Sequence, residues 1–140
     1  MNTVELLEKL KNTSAEIFSR YPVLFAYVYG SCATGTIHPF SDLDIGVFFD
    51  PNSAADPLEC ELDLALDIDR NLGHVIESDV RAINELPLMF LGRILTEGVL
   101  VYSRDESTRV EFEVQARKKF FDFMPVIHDY RKAYVKAARR

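Results

Sequence analysis

Apolar positions recur at helical spacing near the start of the chain, at Leu6, Leu7, Leu10, Ile17 and Phe18, which predicts a first helix. Asn2 or Thr3 can cap it, with Glu5 three after Asn2 as in a capping box, and Pro22 marks its end. Residues 23–29 are apolar, aromatic and β-branched and read as a strand. Gly30-Ser31 follows directly, and CATGTIHPFS then reads as a short turn of helix and a loop, broken by Gly35 and Pro39. Residues 42–49 read as a second strand, closed by the turn cluster Asp50-Pro51-Asn52-Ser53. Residues 57–72 predict a helix with Leu58, Leu62, Ala65, Leu66, Ile68 and Leu72 on one broad apolar stripe, ended by Gly73. A third strand is expected over 75–83, a helix over 87–97 with Pro87 at its start and Gly98 at its end, and a fourth strand over 99–102. From Asp105 to about Arg139 the pattern is helical, with a kink or break expected at Pro125.

Helices that alternate with strands in this order predict an α+β fold: a small β-sheet with helices packed on it and a helical C-terminal tail. The link between the first two strands is short and irregular, whereas a parallel crossover needs a dozen or more residues and normally a full helix. The sheet is therefore expected to be mixed. One domain is expected over 1–140, with a core over 1–103 and a helical region over 104–140.

The second strand carries the unusual feature. Side chains alternate faces along a strand, so Leu43, Ile45, Val47 and Phe49 point one way while Asp42, Asp44, Gly46 and Phe48 point the other. Two like charges thus sit on one face, roughly 7 Å apart along the strand. Dry surroundings would penalise both, and a hard divalent cation such as Mg²⁺ would relieve the penalty. In the third strand Glu77, Asp79 and Arg81 share a face, while Ile76, Val80 and Ala82 look buried. If this strand lies beside the second, Asp79 can join Asp42 and Asp44. Three carboxylates suffice for two Mg²⁺ about 3.5–4 Å apart, the arrangement of in-line phosphoryl displacement.

Gly30-Ser31 lies where a strand gives way to a helix start. Glycine lets a phosphate approach the backbone, the helix start offers free N–H donors, and the serine hydroxyl adds another. No Walker loop is present. Taken alone, a Gly-Ser pair is an ordinary turn and Asp-x-Asp an ordinary solvated strand edge. Their fixed separation in a strand–turn–strand setting favours the functional reading.

Charge and composition narrow the classes. The net charge is −6, divided between residues 1–103 (6 basic, 16 acidic) and residues 104–140 (10 basic, 6 acidic). The acidic body argues against broad nucleic-acid binding. The basic tail is either a solvated helix face or a contact for a polyanion or an acidic protein surface. No apolar run approaches the ~20 residues of a membrane helix. The acidic, amphipathic MNTVELLEKLKN shows no signal-peptide pattern. Cys32 and Cys60 have no metal spacing and no partner cluster, and small secreted domains usually carry more cysteines, so a reducing cytoplasm is expected.

The segment GSCATGTIHPFSDLD, a Gly-Ser pair, ten residues and Asp-x-Asp, resembles the signature of the DNA polymerase β-like nucleotidyltransferase superfamily. Together with the small size and the later SDVRAINELPLMFLGRILTEGVLVYSRD, the chain resembles the minimal nucleotidyltransferases (MNT), commonly the antitoxin half of HEPN/MNT toxin–antitoxin pairs. The resemblance covers about residues 1–105, and the tail less specifically. Cys32 stands where the family often has an aromatic or small residue, and Gly35 fits its small-residue turn. The resemblance implies that Gly30 and Ser31 hold the triphosphate of ATP and that Asp42 and Asp44 bind two Mg²⁺. Asp79 aligns with the family's third-strand aspartate; it would complete the metal site and help deprotonate the acceptor. AMP would pass to a hydroxyl, with release of pyrophosphate. In antitoxins of this kind the acceptor is similar to a tyrosine of the partner HEPN ribonuclease, which the modification silences; a hetero-oligomer with the toxin is then expected.

Other residues carry weaker signals. His38, His74 and His128 are scattered, without ligand spacing. His38 precedes the carboxylates and reads as surface loop or as a substrate neighbour. Cys32 reads as a small buried residue rather than a nucleophile. Arg81 can pair with Asp79 or neutralise phosphate charge. Phe112, Phe120, Phe121, Phe123, Tyr130 and Tyr134 exceed what a small core needs, and beside Arg117, Lys118, Lys119, Arg131 and Lys132 they can form a protein interface. Two functional readings follow: a protein adenylyltransferase, or an antitoxin that occludes its toxin without catalysis. An aminoglycoside-type transferase is weaker, because the chain has no room for a substrate domain.

Overall fold

A computed structural model describes residues 2–35 and 41–138, the side chains at 124–131, 134 and 138 excepted. His38 and the side chains of His128, Tyr130, Arg131 and Tyr134 therefore lie outside the described residues. Helix α1 spans Thr3–Phe18, and the Asn2 side chain accepts the Glu5 N–H at 2.9 Å, as the capping pattern predicts. Strand β1 (Val23–Tyr29), the single-turn helix α2 (Ser31–Thr34) and strand β2 (Leu43–Phe49) follow. Helix α3 (Pro57–Asn71) starts with Pro at its first position, and the Asp56 carboxylate accepts the Leu58 N–H. Strand β3 (Ser78–Ala82), helix α4 (Leu88–Glu97), strand β4 (Val99–Ser103) and helix α5 (Glu106–Ala138) complete the order.

The sheet order is β3-β2-β1-β4. β1 runs antiparallel to β2 and to β4, while β2 and β3 are parallel. The long connection through α3 makes the parallel β2–β3 crossover. The sheet is mixed, as the short first link requires.

Each face of the sheet is covered. On one, Leu43, Ile45 and Val47 of β2 are wholly buried against α1 and α3, where Leu10, Phe18, Leu64 and Ile68 meet them. On the other, Phe25, Tyr27 and Tyr29 of β1 pack with Ile94 of α4 and Phe112 of α5. The Phe25 and Phe48 rings stack at 4.7 Å, and Phe112 closes the cluster at 5.3 Å from both. α5 is also tied to β1 by Tyr27, whose hydroxyl donates to Glu113, and Glu113 pairs with Arg109 at 3.0 Å. Where α4 and α5 meet, a Cβ on Gly92 would lie 2.2 Å from the Phe120 ring, so a side chain there would displace that ring. Among the described residues, no helix is long and apolar enough to cross a membrane.

Three expectations change. β3 is shorter than 75–83, because the chain turns through Gly73 (φ 70°) and His74 (φ 58°) and joins the sheet only at Ser78. α5 runs as one helix past position 125: a proline removes a single N–H donor, and the turns on both sides keep theirs. The apolar stripe of α3 is not one face. Leu64 and Ile68 are 0% exposed, whereas Leu58, Leu62 and Leu66 are 62%, 61% and 52% exposed. The helix carries leucines on two sides, and only one side meets the sheet.

This division is measurable by urea unfolding. Leu64→Ala is expected to cost about 2–5 kcal/mol, and Leu62→Ala to stay within about 0.5 kcal/mol. Equal costs would contradict the packing.

Candidate active site

β1 ends at Tyr29, and the chain turns at Gly30 with φ 72° and ψ −152°, a conformation that side chains strongly disfavour. The Gly30 carbonyl accepts the N–H groups of Ala33 and Thr34 at 3.1 Å, which starts α2 with Ser31 at its head. The leading N–H groups of such a turn have no intrahelical acceptor. A Cβ at Gly30 would fall 2.6 Å from Asp44 Oδ2. The backbone angle therefore favours glycine, and a side chain there would displace the Asp44 carboxylate.

The sheet brings the acids to this turn. Asp44 is the antiparallel partner of Tyr29 and the parallel partner of Asp79. In-register partners project to the same face of neighbouring strands about 4.8 Å apart, so Asp44 and Asp79 stand side by side. Asp42 precedes β2 and is exposed, while Asp44 and Asp79 are half-buried. The Cys32 thiol, buried beneath α2, donates to the Asp42 carbonyl at 3.4 Å and ties the turn to the start of β2. Burial pushes the Cys32 thiol pKa up, with the Asp44 charge adding to it, which suits a structural role.

Burial raises the Asp44 pKa first, and the charges of Asp79 and Asp42 raise it further; Arg81 and Arg93 counter them. Tyr29 responds to the same neighbours: burial and the Asp44 charge raise its pKa, and Arg81 lowers it. Arg81 Nε lies 3.3 Å from Asp79 Oδ2, so the ion pair anticipated for Arg81 is present. Among the described residues no three His, Cys, Asp or Glu side chains are gathered into a ready-made metal cage. The structure thus assembles Gly30, Ser31, Asp44 and Asp79, sets Asp42 at the exposed rim, and adds Tyr29, Arg81 and Arg93. Arg93 sits on α4 beside Glu97 at 3.9 Å; no sequence signal marks it, because only the packing of α4 over this face brings it near.

A family model described as "Polymerase beta, Nucleotidyltransferase" matches residues 12–107. The chain belongs to the polymerase β nucleotidyltransferase family. The match includes Gly30, Ser31, Asp42, Asp44 and Asp79. No curated protein matches the chain by sequence. Solved structures share the fold of this polymerase β nucleotidyltransferase. A chain from a crystal structure of a toxin–antitoxin with AMP-PNP is 17% identical with a TM-score of 0.65, over 93% of this chain and 98% of that one. One from tri-AMPylated Shewanella oneidensis HEPN toxin in complex with MNT antitoxin is 15% identical, with a TM-score of 0.63 over 96% and 99%. One from the MntA-HepT toxin–antitoxin is 14% identical, with a TM-score of 0.62 over 95% and 99%.

Two measurements check this geometry. Gly30→Ala is expected to cost about 1–3 kcal/mol. The cost should shrink in an Asp44→Ala background, where the close carboxylate is gone and only the backbone strain remains; an unchanged cost would deny the contact. The raised Asp44 pKa also sets a sign. The folded chain holds this proton more tightly than the unfolded chain, so ionised Asp44 opposes folding as pH rises above the ordinary carboxylate range. In metal-free buffer Asp44→Asn is therefore expected to raise Tm at about pH 7. The gain should vanish near about pH 3, where the carboxyl is protonated in both states.

Proposed function

We propose that this nucleotidyltransferase is an antitoxin that moves AMP from ATP to a hydroxyl of a HEPN ribonuclease toxin, a tyrosine being the favoured acceptor, and so neutralises it. The observation that carries this reading is the contact between Gly30 and Asp44, with Asp79 in register beside it. A phosphate-holding turn and a carboxylate pair meet at one point of the sheet, which is what nucleotidyl transfer needs. The structures that share the fold add support: one is a toxin–antitoxin with AMP-PNP and another holds a tri-AMPylated HEPN toxin with its MNT antitoxin.

The residues fit Mg²⁺. Asp44 is half-buried among like charges that raise its pKa, and a hard cation held by carboxylate oxygens removes that repulsion. Asp42, Asp44 and Asp79 would hold it; when bound, the cation supplies charge neutralisation on the phosphates and alignment of the attacking oxygen. Gly30 leaves room for the triphosphate, and the Ser31 hydroxyl and the leading N–H groups of α2 would donate to its oxygens. Asp79, released from Arg81, would accept the proton of the acceptor hydroxyl as the new P–O bond forms and pyrophosphate leaves. Arg81 and Arg93 would balance the negative charge that gathers there.

The test pairs the purified chain with the product of the gene beside its own, which this reading expects to be HEPN-type, in ATP and Mg²⁺. Intact-mass measurement is expected to show added AMP, and Asp42→Asn/Asp44→Asn to reduce transfer at least about 10²-fold. Undiminished transfer by the double variant would overturn the catalytic assignment. A variant that transfers nothing yet still neutralises the toxin in cells would establish occlusion instead.

A further inference from the structure

The exposed side of α3 borders the catalytic face. Leu58 and Leu62, 62% and 61% exposed, overhang the outer edge of β3, and Leu66 continues their row one turn on. Between helix and strand lies a groove of about 500 Å³ whose lining runs from Leu58 and Leu62 through Ala65 and Val80 to Asp79 and Arg81. β3 is the last strand of the sheet on this side. Its outer edge is partly occupied: the Ser78 N–H is accepted by Asp69 at 2.9 Å and the Ala82 N–H by Glu61 at 3.0 Å, so α3 carboxylates hold two of the donors an added strand would need. Above them lies a trough with an apolar wall of leucines, open to side chains.

The charge around it is mainly acidic, although Asp67 is met by Arg20 and Arg70. Residues 56–69 contain six acidic side chains, Asp56, Glu59, Glu61, Asp63, Asp67 and Asp69, and no basic one. Glu59 and Asp63 are exposed beside the leucine row. Arg81, the base within the groove, already pairs with Asp79. An occupant must bring apolar side chains at helical spacing, to fill the trough over Leu58 and Leu62, and flanking Lys or Arg, to meet the acidic rim.

We propose that this groove is where the acceptor protein docks, through an amphipathic helix with a basic border. A helix seated there ends beside Asp79, so the docked protein presents its hydroxyl directly to the site. This rests on the reading that the acceptor is a protein and names the surface that selects it.

The probe is a synthetic amphipathic helical peptide with leucines at i, i+4 and i+8 flanked by lysine and arginine; its control carries glutamate in place of every base. Binding is read by fluorescence anisotropy without nucleotide, so the outcome is independent of whether AMP is transferred. The basic peptide is expected to bind the wild-type chain, to bind Leu58→Ser/Leu62→Ser at least about tenfold more weakly, and to weaken with added salt. Both leucines are exposed, so the variant keeps the wild-type unfolding midpoint, and its charge is unchanged. Equal binding by variant and wild type, or by the acidic peptide, would overturn the proposal. So would a wild-type dimer in sedimentation that the double variant disperses, since the occupant would then be a second copy of this chain.

Discussion

The register of β2 governs the rest of the molecule. Leu43, Ile45 and Val47 are wholly buried on the side of α1 and α3, which leaves Asp44 on the opposite face. A slip of one residue would drive the carboxylates into the core and the aliphatic side chains out of it. Burying unpaired carboxylates costs far more than any alternative strand pairing recovers, so the register has no close competitor. The same register makes Tyr29 and Asp79 the two neighbours of Asp44, one on each flanking strand. Core packing on one face therefore positions the acids of the candidate site on the other.

The site is built against the local grain. Gly30 holds a backbone conformation that side chains avoid, and the Asp44 carboxylate lies where its side chain would be. Asp44 and Asp79 stand side by side with Asp42 at the rim, and Asp44 meets both burial and repulsion. Arg81 and Arg93 relieve part of this, and a bound cation would relieve more. Such concentrated strain is tolerated because both faces of the sheet are covered by helices that over-determine the strand positions.

Helices α3 and α5 both divide their apolar side chains between core and solvent. α5 places Phe112 in the core, fastens itself through Tyr27, Glu113 and Arg109, and leaves Phe121 and Phe123 exposed. α3 spends Leu64 and Ile68 on the core and keeps a second leucine row outside it, within an acidic rim. Its carboxylates also hold two donors of the β3 edge, so one helix packs the core, covers part of the sheet edge and shapes the surface next to Asp79.

The sequence by itself determined the elements and their order, the mixed sheet, the two-faced character of β2 and the Gly-Ser and Asp-x-Asp pair. These follow from periodicity, turn residues and spacing, which are local properties. The buried side of α3 was not legible, because leucines lie on two sides of the helix and spacing cannot say which one meets a sheet. Nor was the continuity of α5 past Pro125, since the local cost of a proline does not reveal what the neighbouring turns sustain. Tyr29 and Arg93 carried no signal at all. Only the tertiary structure decided that β3 lies parallel and in register with β2, which sets Asp79 beside Asp44, and that α4 crosses the same face. Strand neighbours and helix placement are settled by contacts between residues far apart in the chain, where the whole core must be satisfied at once.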